Sequence, residues 1–222
     1  MFSVVNAVGA GASNVALGKQ AKTLQRHELR QLLAFVETET RHAARNRVVV
    51  LLSFLCGLRA KEIVGTKWSM LTDATGNIGD GLALVNSASK GKNGGRVVPL
   101  PNELQKALRE LRAQEQSAGR GNADDYVVTF QQHSTDAAAR SNSVRWLFKF
   151  WFSKLGFKGA SSHSGRRSFA TKAAREIGAV GGSLKDVQQL LGHATISTTM
   201  KYVDADPAAQ KRLVSRLWKT TR

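Results

Sequence analysis

The chain has a single cysteine, Cys56, in 222 residues, so an internal disulfide is excluded and a reducing cytoplasm suits it. Set between Phe54-Leu55 and Gly57-Leu58, that thiol reads as a buried, inert one. Acidic residues are also scarce. The 16 Asp+Glu against 33 Lys+Arg leave a formal charge of +17, which favours a polyanionic partner over a small neutral substrate. Long apolar runs are missing: the longest, Val48 to Leu55, is broken by Ser53 and falls well short of the ~20 residues a bilayer requires. No membrane partner is therefore expected, and nucleic acid leads. The first eighteen residues carry no charge, whereas a secretory signal needs basic residues ahead of its apolar stretch and here they begin only at Lys19. Segment 1–22 reads as a flexible tail. Gly57, Gly91, Gly94 and Gly95 form neither a Walker loop nor a dinucleotide fingerprint, and the scattered histidines give no zinc spacing, so no cofactor or metal is expected.

What is present reads as one mainly α domain with a small β-hairpin, an α+β fold, and 42% hydrophobic residues suffice for its core. Leu29, Leu32, Leu33 and Val36 recur at helical spacing, and Arg45 to Cys56 forms a second helix that is apolar nearly all round, ended by Gly57. A short helix restarts at Arg59. Leu82–Val85 and Arg96–Leu100 are β-prone and are joined through the Asn93-Gly94-Gly95 turn signal, which makes a hairpin with a basic tip. Leu104, Leu108 and Leu111 then mark a helix after Pro101. Ser141 to Leu155 is a further helix whose Trp146, Leu147, Phe150 and Trp151 are read as core, with Arg145, Lys149 and Lys154 on its outer face. Helices follow at Ser164–Ile177, Leu184–Leu191 and Thr195–Val203. Pro207 opens a last one, with Leu213, Val214 and Leu217 on one side and Lys211, Arg212, Arg216 and Lys219 on the other.

The last third carries the chemistry. A tyrosine hydroxyl, with a pKa near ~10, is a poor nucleophile unless a base takes its proton and cations stabilise the charge that develops. His163-Ser164-Gly165-Arg166-Arg167, then Leu190-Leu191-Gly192-His193, then Tyr202 supply those groups in one stretch. Read with the flanking Val187-Gln188-Gln189 and Ile196-Ser197-Thr198-Thr199-Met200-Lys201, this block resembles the catalytic domain of the tyrosine recombinases, or phage-type integrases. The resemblance runs from about Thr23 to Tyr202.

It implies a tyrosine recombinase catalytic-domain fold over 23–206 and site-specific DNA recombination by strand cleavage and rejoining through a 3′-phosphotyrosyl intermediate, with no metal or ATP. Arg59, in Gly57-Leu58-Arg59-Ala60-Lys61-Glu62-Ile63, and Arg166 are implied as the two arginines that clamp the phosphate, a geometry guanidinium matches better than ammonium. His163 is implied to accept the Tyr202 proton or to hydrogen-bond the phosphate; His193 is implied to donate to a non-bridging oxygen. Tyr202 is the implied nucleophile and Lys90, in the hairpin Lys90-Gly91, the proton donor to the leaving 5′-oxygen. The interval from Lys90 to Pro99 is about one residue longer than the family's, so Lys92 competes for that role. His27, His42 and His133 read as surface residues. A helix over 207–222 that packs in trans would make a homo-oligomer, a dimer or tetramer on DNA. The expected location is cytoplasmic, with the nucleoid.

The chain also departs from the family. Gly165 stands where a larger hydrophobic residue is usual, the Gly178–Ser183 linker is about four residues longer than is common, and only about twenty residues precede the matched region, where relatives carry a second DNA-clamping domain. Two other readings stand beside recombination: a catalytically inactive DNA-binding regulator of recombination sites, and a type IB topoisomerase-like activity.

Overall fold

The computed structural model describes residues 21–85, 95–130, 136–203 and 207–217. The 1–20 segment of the expected tail, the hairpin tip with Lys90 and Lys92, and His133 lie outside the described residues.

Helix α2 (Ala43–Leu55) is the centre of the molecule. Its run Val48–Phe54 is buried on every side, which an all-round apolar helix requires. Helices α1 (Arg26–Thr38), α4 (Asn102–Ser117) and α6 (Ser164–Glu176) pack around it. Helix α1 offers Leu32 and Val36 to the core; α4 offers Leu104, Ala107, Leu108 and Leu111, the stripe its spacing predicts. Cys56, at the C-terminal end of α2, is fully buried, and burial pushes its thiol up to about 12, so the inert reading holds.

Helix α3 (Ala60–Gly65) packs on α5 (Ala137–Lys154). The latter begins earlier than the expected Ser141 because Asp136 caps it, accepting from the N–H groups of Ala138 and Ala139. Its aromatics correct the sequence reading. Phe148, Trp151 and Phe152 enter the core, but Trp146 and Phe150 are 61% and 38% exposed and stack on each other, centroids 5.3 Å apart. With aromatics nearly all round the helix, periodicity does not say which of them faces in.

Strands β1 (Gly81–Leu84) and β2 (Arg96–Pro99) pair antiparallel, Leu82 opposite Val98, and form the expected hairpin. Helices α7 (Leu184–Leu191) and α8 (Ile196–Met200) close the fold. They build a second, smaller core of Ala170, Val187 and Leu191, against which Phe169 and Tyr202 pack. The linker before α7 forms an exposed 3₁₀ turn, Ile177–Val180, followed by Gly181 in the left-handed region and the Ser183 cap, so its extra length stays at the surface. Helix α9 (Pro207–Leu217) follows Tyr202.

Gly165 is explained by packing. A Cβ there would lie 2.1 Å from Ser53 Oγ and 2.9 Å from Phe54 Cδ2, so α6 sits against α2 too closely for a larger side chain.

Candidate active site

The site is assembled around one carboxylate. Glu62, in the first turn of α3, is 1% exposed. Arg59 caps that helix: its backbone N–H donates to Glu62 Oε2 at 2.8 Å and its Nη1 to Oε1 at 3.1 Å. From β2, Arg96 donates through Nη1 to Glu62 Oε1 at 3.0 Å and through Nε to the Leu190 carbonyl at 2.9 Å. From α6, Arg166 brings Nη1 to 3.8 Å from Glu62 Oε2 and donates to the carbonyls of Gly57, at 2.7 Å, and Leu191, at 2.6 Å.

Among the described residues, then, three guanidiniums share a single acidic partner. Burial alone would raise the Glu62 carboxyl, but the hydrogen bond and charge of Arg96, the Arg59 N–H and the charge of Arg166 outweigh it and hold the group below the ordinary carboxylate range. Arg166 shows the opposite imbalance. Burial first, then repulsion from Arg59, with Arg96 adding to it, brings its guanidinium down to about 10. Among the described residues the buried Nη2 of Arg96 has no hydrogen-bond partner. An anion placed here would relieve both.

Two glycines make the approach of these elements possible. Gly57, at φ +63°, ends α2, and a Cβ on it would meet the Phe169 ring at 2.6 Å and Leu191 at 3.1 Å; only glycine lets its carbonyl reach Arg166 there. Gly192, at φ +61°, ends α7 in a left-handed cap in which the His193 N–H bonds back to the Gln188 carbonyl. The buried Gln188 returns the bond, its Nε2 donating to the His193 carbonyl at 2.9 Å. His193 is thereby fixed at the edge of the arginine cluster.

The imidazole of His193 lies parallel to the Tyr202 ring, centroids 5.9 Å apart and planes 11° apart, and its Nδ1 is 2.9 Å from Thr199 Oγ1. Burial, reinforced by the charges of Arg166, Arg59 and Arg96, lowers its pKa to about 4, so the ring is neutral near pH 7. His163 caps α6 and is exposed at its edge; partial burial and the charges of Arg145, Arg166 and Arg59 lower its pKa as well. A neutral imidazole there is able to accept a proton. The half-buried Tyr202 enters the field of Arg166.

Five of the six residues singled out by sequence, Arg59, His163, Arg166, His193 and Tyr202, thus come from α3, α6, the turn after α7 and the end of α8 into one electrostatic neighbourhood. The sixth, Lys90, and its competitor Lys92 lie outside the described residues.

The family model described as "Phage integrase family" matches residues 22–209. The chain belongs to the phage integrase family. This integrase-family chain is 30% identical over 181 residues to the tyrosine recombinase XerA of Thermococcus kodakarensis, an alignment that covers 82% of the chain and 57% of the relative. It is also 30% identical over 214 residues to XerC of Brucella melitensis, covering 91% of the chain and 61% of that protein. The chain therefore spans about three-fifths of the length of these relatives. Among solved structures, a XerA recombinase crystal structure superposes with a TM-score of 0.62 at 22% identity, over 90% of this chain and 66% of that one. The XerH recombinase bound to its difH substrate gives 0.68 at 22% identity, over 94% and 57%. The integrase fold, helical with one small hairpin, is shared with them.

The sequence reading of this integrase-family chain gave no role to Glu62, Arg96 or Thr199. Glu62 stood in the quoted Arg59-Ala60-Lys61-Glu62 segment, and its spacing three residues from Arg59 is a capping signal. Nothing local marks Arg96, whose partners lie 34 and 94 residues away.

Proposed function

We propose that the chain is the catalytic part of a tyrosine-type site-specific DNA recombinase that cuts and rejoins double-stranded DNA through a 3′-phosphotyrosyl intermediate. The observation that carries this reading is the guanidinium excess: Arg59, Arg96 and Arg166 around Glu62, beside Tyr202 and two imidazoles whose lowered pKa keeps them neutral. A scissile phosphate supplies the missing negative charge.

In the proposed step the Tyr202 hydroxyl oxygen attacks phosphorus and its proton passes to His163. Charge grows on the non-bridging oxygens, where Arg59 and Arg166 hold it and His193 donates a hydrogen bond; removing one such donor costs ~10²–10³ in rate. The phosphorus–O5′ bond breaks, and Lys90 or Lys92 protonates the departing oxygen. Reversal by a new 5′-hydroxyl reforms the phosphodiester and frees Tyr202. The linkage conserves the bond's energy.

The same reading covers the rest of the molecule. Residues 23–206 are the catalytic domain and 207–222 a segment that packs on a second copy on DNA. In α9, Leu213, Val214 and Leu217 are 58%, 57% and 68% exposed, an apolar stripe that association would cover. In the described residues no helix is long and apolar enough to cross a membrane. The proposed place of action is nucleoid DNA in the cytoplasm.

The test is incubation with nicked suicide DNA followed by denaturing separation of protein-linked DNA. A 3′-linked adduct formed by the natural chain and lost in Tyr202→Phe is expected. Salt-sensitive DNA binding with no adduct would favour the inactive regulator instead, and relaxation of supercoiled plasmid without site preference the topoisomerase.

A further inference from the structure

His193 and Thr199 face each other with no other partner for either side chain's hydrogen-bonding atoms among the described residues. Thr199 is fully buried, at 0% exposure, and His193 nearly so, at 8%. A hydroxyl carries one proton, and a buried O–H with no acceptor is costly. Among the described residues the acceptor that Thr199 Oγ1 meets is Nδ1 of His193, at 2.9 Å. If Nδ1 carried the ring proton, the Thr199 oxygen would accept it and the hydroxyl's own proton would be left with no acceptor among the described residues. Oriented the other way, the hydroxyl donates, Nδ1 accepts, and the single proton of the neutral imidazole sits on Nε2.

We propose that Thr199 is a positioning residue that locks His193 in its Nε2–H tautomer, so that the ring is armed as a donor only while α8, which leads into Tyr202, is seated. Thr199 lies in α8, whose last residue is Met200, and Tyr202 stands two residues further on, after Lys201. Thr199 and Tyr202 are therefore moved together: the same seating that lays the Tyr202 ring parallel to His193 brings Oγ1 to Nδ1. A displacement of α8 removes the nucleophile and releases the imidazole to the other tautomer, whose Nε2 is an acceptor and would face the lone pairs of a phosphate oxygen. A strand-cleaving site built in this way has its nucleophile and its electrophilic donor switched by one contact. The charges around the ring support the argument: Arg166, Arg59 and Arg96 hold it neutral, so the donor position is decided by tautomer and not by a second proton.

The catalytic half of this inference rests on the recombinase reading; the tautomer does not, and the test separates them. The full chain with ¹⁵N-labelled histidine, free of DNA, is examined by long-range ¹H–¹⁵N correlation between pH 6 and 8. The expected His193 pattern is a protonated Nε2 and an unprotonated Nδ1, with a slowly exchanging Thr199 hydroxyl proton. Thr199→Val gives a mixture of the two tautomers, and Thr199→Ser restores the single form. On suicide DNA, Thr199→Val forms the covalent adduct about tenfold more slowly, part of the loss expected for a misaligned donor, and Thr199→Ser recovers most of the rate. An Nδ1–H tautomer in the natural chain overturns the proposal, and so does a Thr199→Val protein that keeps the single Nε2–H form. If Thr199→Val does not fold, the spectrum of the natural chain and its Thr199 hydroxyl proton decide alone. If the natural chain gives no adduct at all, the recombinase reading fails while the tautomer assignment is still measured.

Discussion

Gly192 lies directly against the guanidinium of Arg96: a Cβ at 192 would sit 2.5 Å from Nη1 and 3.0 Å from Cζ. The turn that presents His193 and the strand that leads out of the basic hairpin are therefore in contact through a glycine and an arginine. Arg96 also bonds to the Leu190 carbonyl and to Glu62, so it ties the hairpin to both the α7 turn and the arginine cluster.

Gly192→Ala introduces a side chain at φ +61° and pushes on Arg96 at once. It should lower unfolding free energy by about 1–3 kcal/mol, measured by urea titration. Adduct formation should fall by more than stability alone accounts for, because the displaced groups are Arg96 and His193.

Glu62→Gln keeps the shape and removes the charge on which Arg59, Arg96 and Arg166 converge. Breaking a buried ion pair in this way costs about 3–5 kcal/mol, so the urea midpoint should drop sharply. Added sulfate should recover part of that loss in the variant, since a bound anion replaces the missing negative charge and stabilises the folded state by mass action.

Stability should fall on the acid side well before ordinary carboxylates titrate. His193 has a folded pKa of about 4 against an ordinary value of 6.5. As pH falls below ~6.5 the unfolded chain takes up this proton and the folded one does not, so stability rises with pH in that window and is lost on acidification from ~6.5 towards ~4. His42 and His163 are lowered too and act with the same sign. Thermal unfolding between pH 4 and 8 checks this; His193→Gln, which cannot titrate, should flatten the curve.

The choice between Lys90 and Lys92 is open to a chemical test. DNA with sulfur in place of the 5′-bridging oxygen departs as a thiolate, whose conjugate acid has a pKa near ~8.5, and needs no proton donor. Alanine at the true donor should slow cleavage of ordinary DNA by ~10²-fold or more and leave the sulfur-substituted DNA nearly unaffected. Alanine at the other lysine should treat both substrates alike.

Removal of the segment from Ala208 onward should leave the unfolding midpoint of the domain unchanged, because the apolar stripe of α9 is exposed. Synapsis of two sites, followed by native gel, should be lost. Unchanged cooperative synapsis would sink the trans-packing proposal.

Helix positions were legible wherever one face is apolar. The stripes of α1 and α4, the all-round burial of α2 and the two hairpin strands all follow from local pattern, which is set by chain-neighbour spacing. The motif residues were legible because Leu190-Leu191-Gly192-His193 and Tyr202 stand close together in the chain. The supporting network was not. Glu62 reads as an ordinary capping carboxylate until Arg96 and Arg166 are folded against it, and the Thr199 hydroxyl meets His193 only when the chain reverses after that residue. Trp146 and Phe150 were misjudged for a related reason: which side of an aromatic-rich helix faces solvent is decided by the neighbours, here α3, and not by the helix itself.

Tyr202 packs on the small core of Ala170, Val187 and Leu191, while the main core gathers around α2. A patch of that size holds far less hydrophobic free energy than the main core, so the region around Tyr202 should be less protected than α2. Amide protons of α7 and α8 should exchange with solvent ahead of those of α2. In mechanical terms Tyr202 is clipped to the frame rather than cast into it, so that its movement need not loosen the frame.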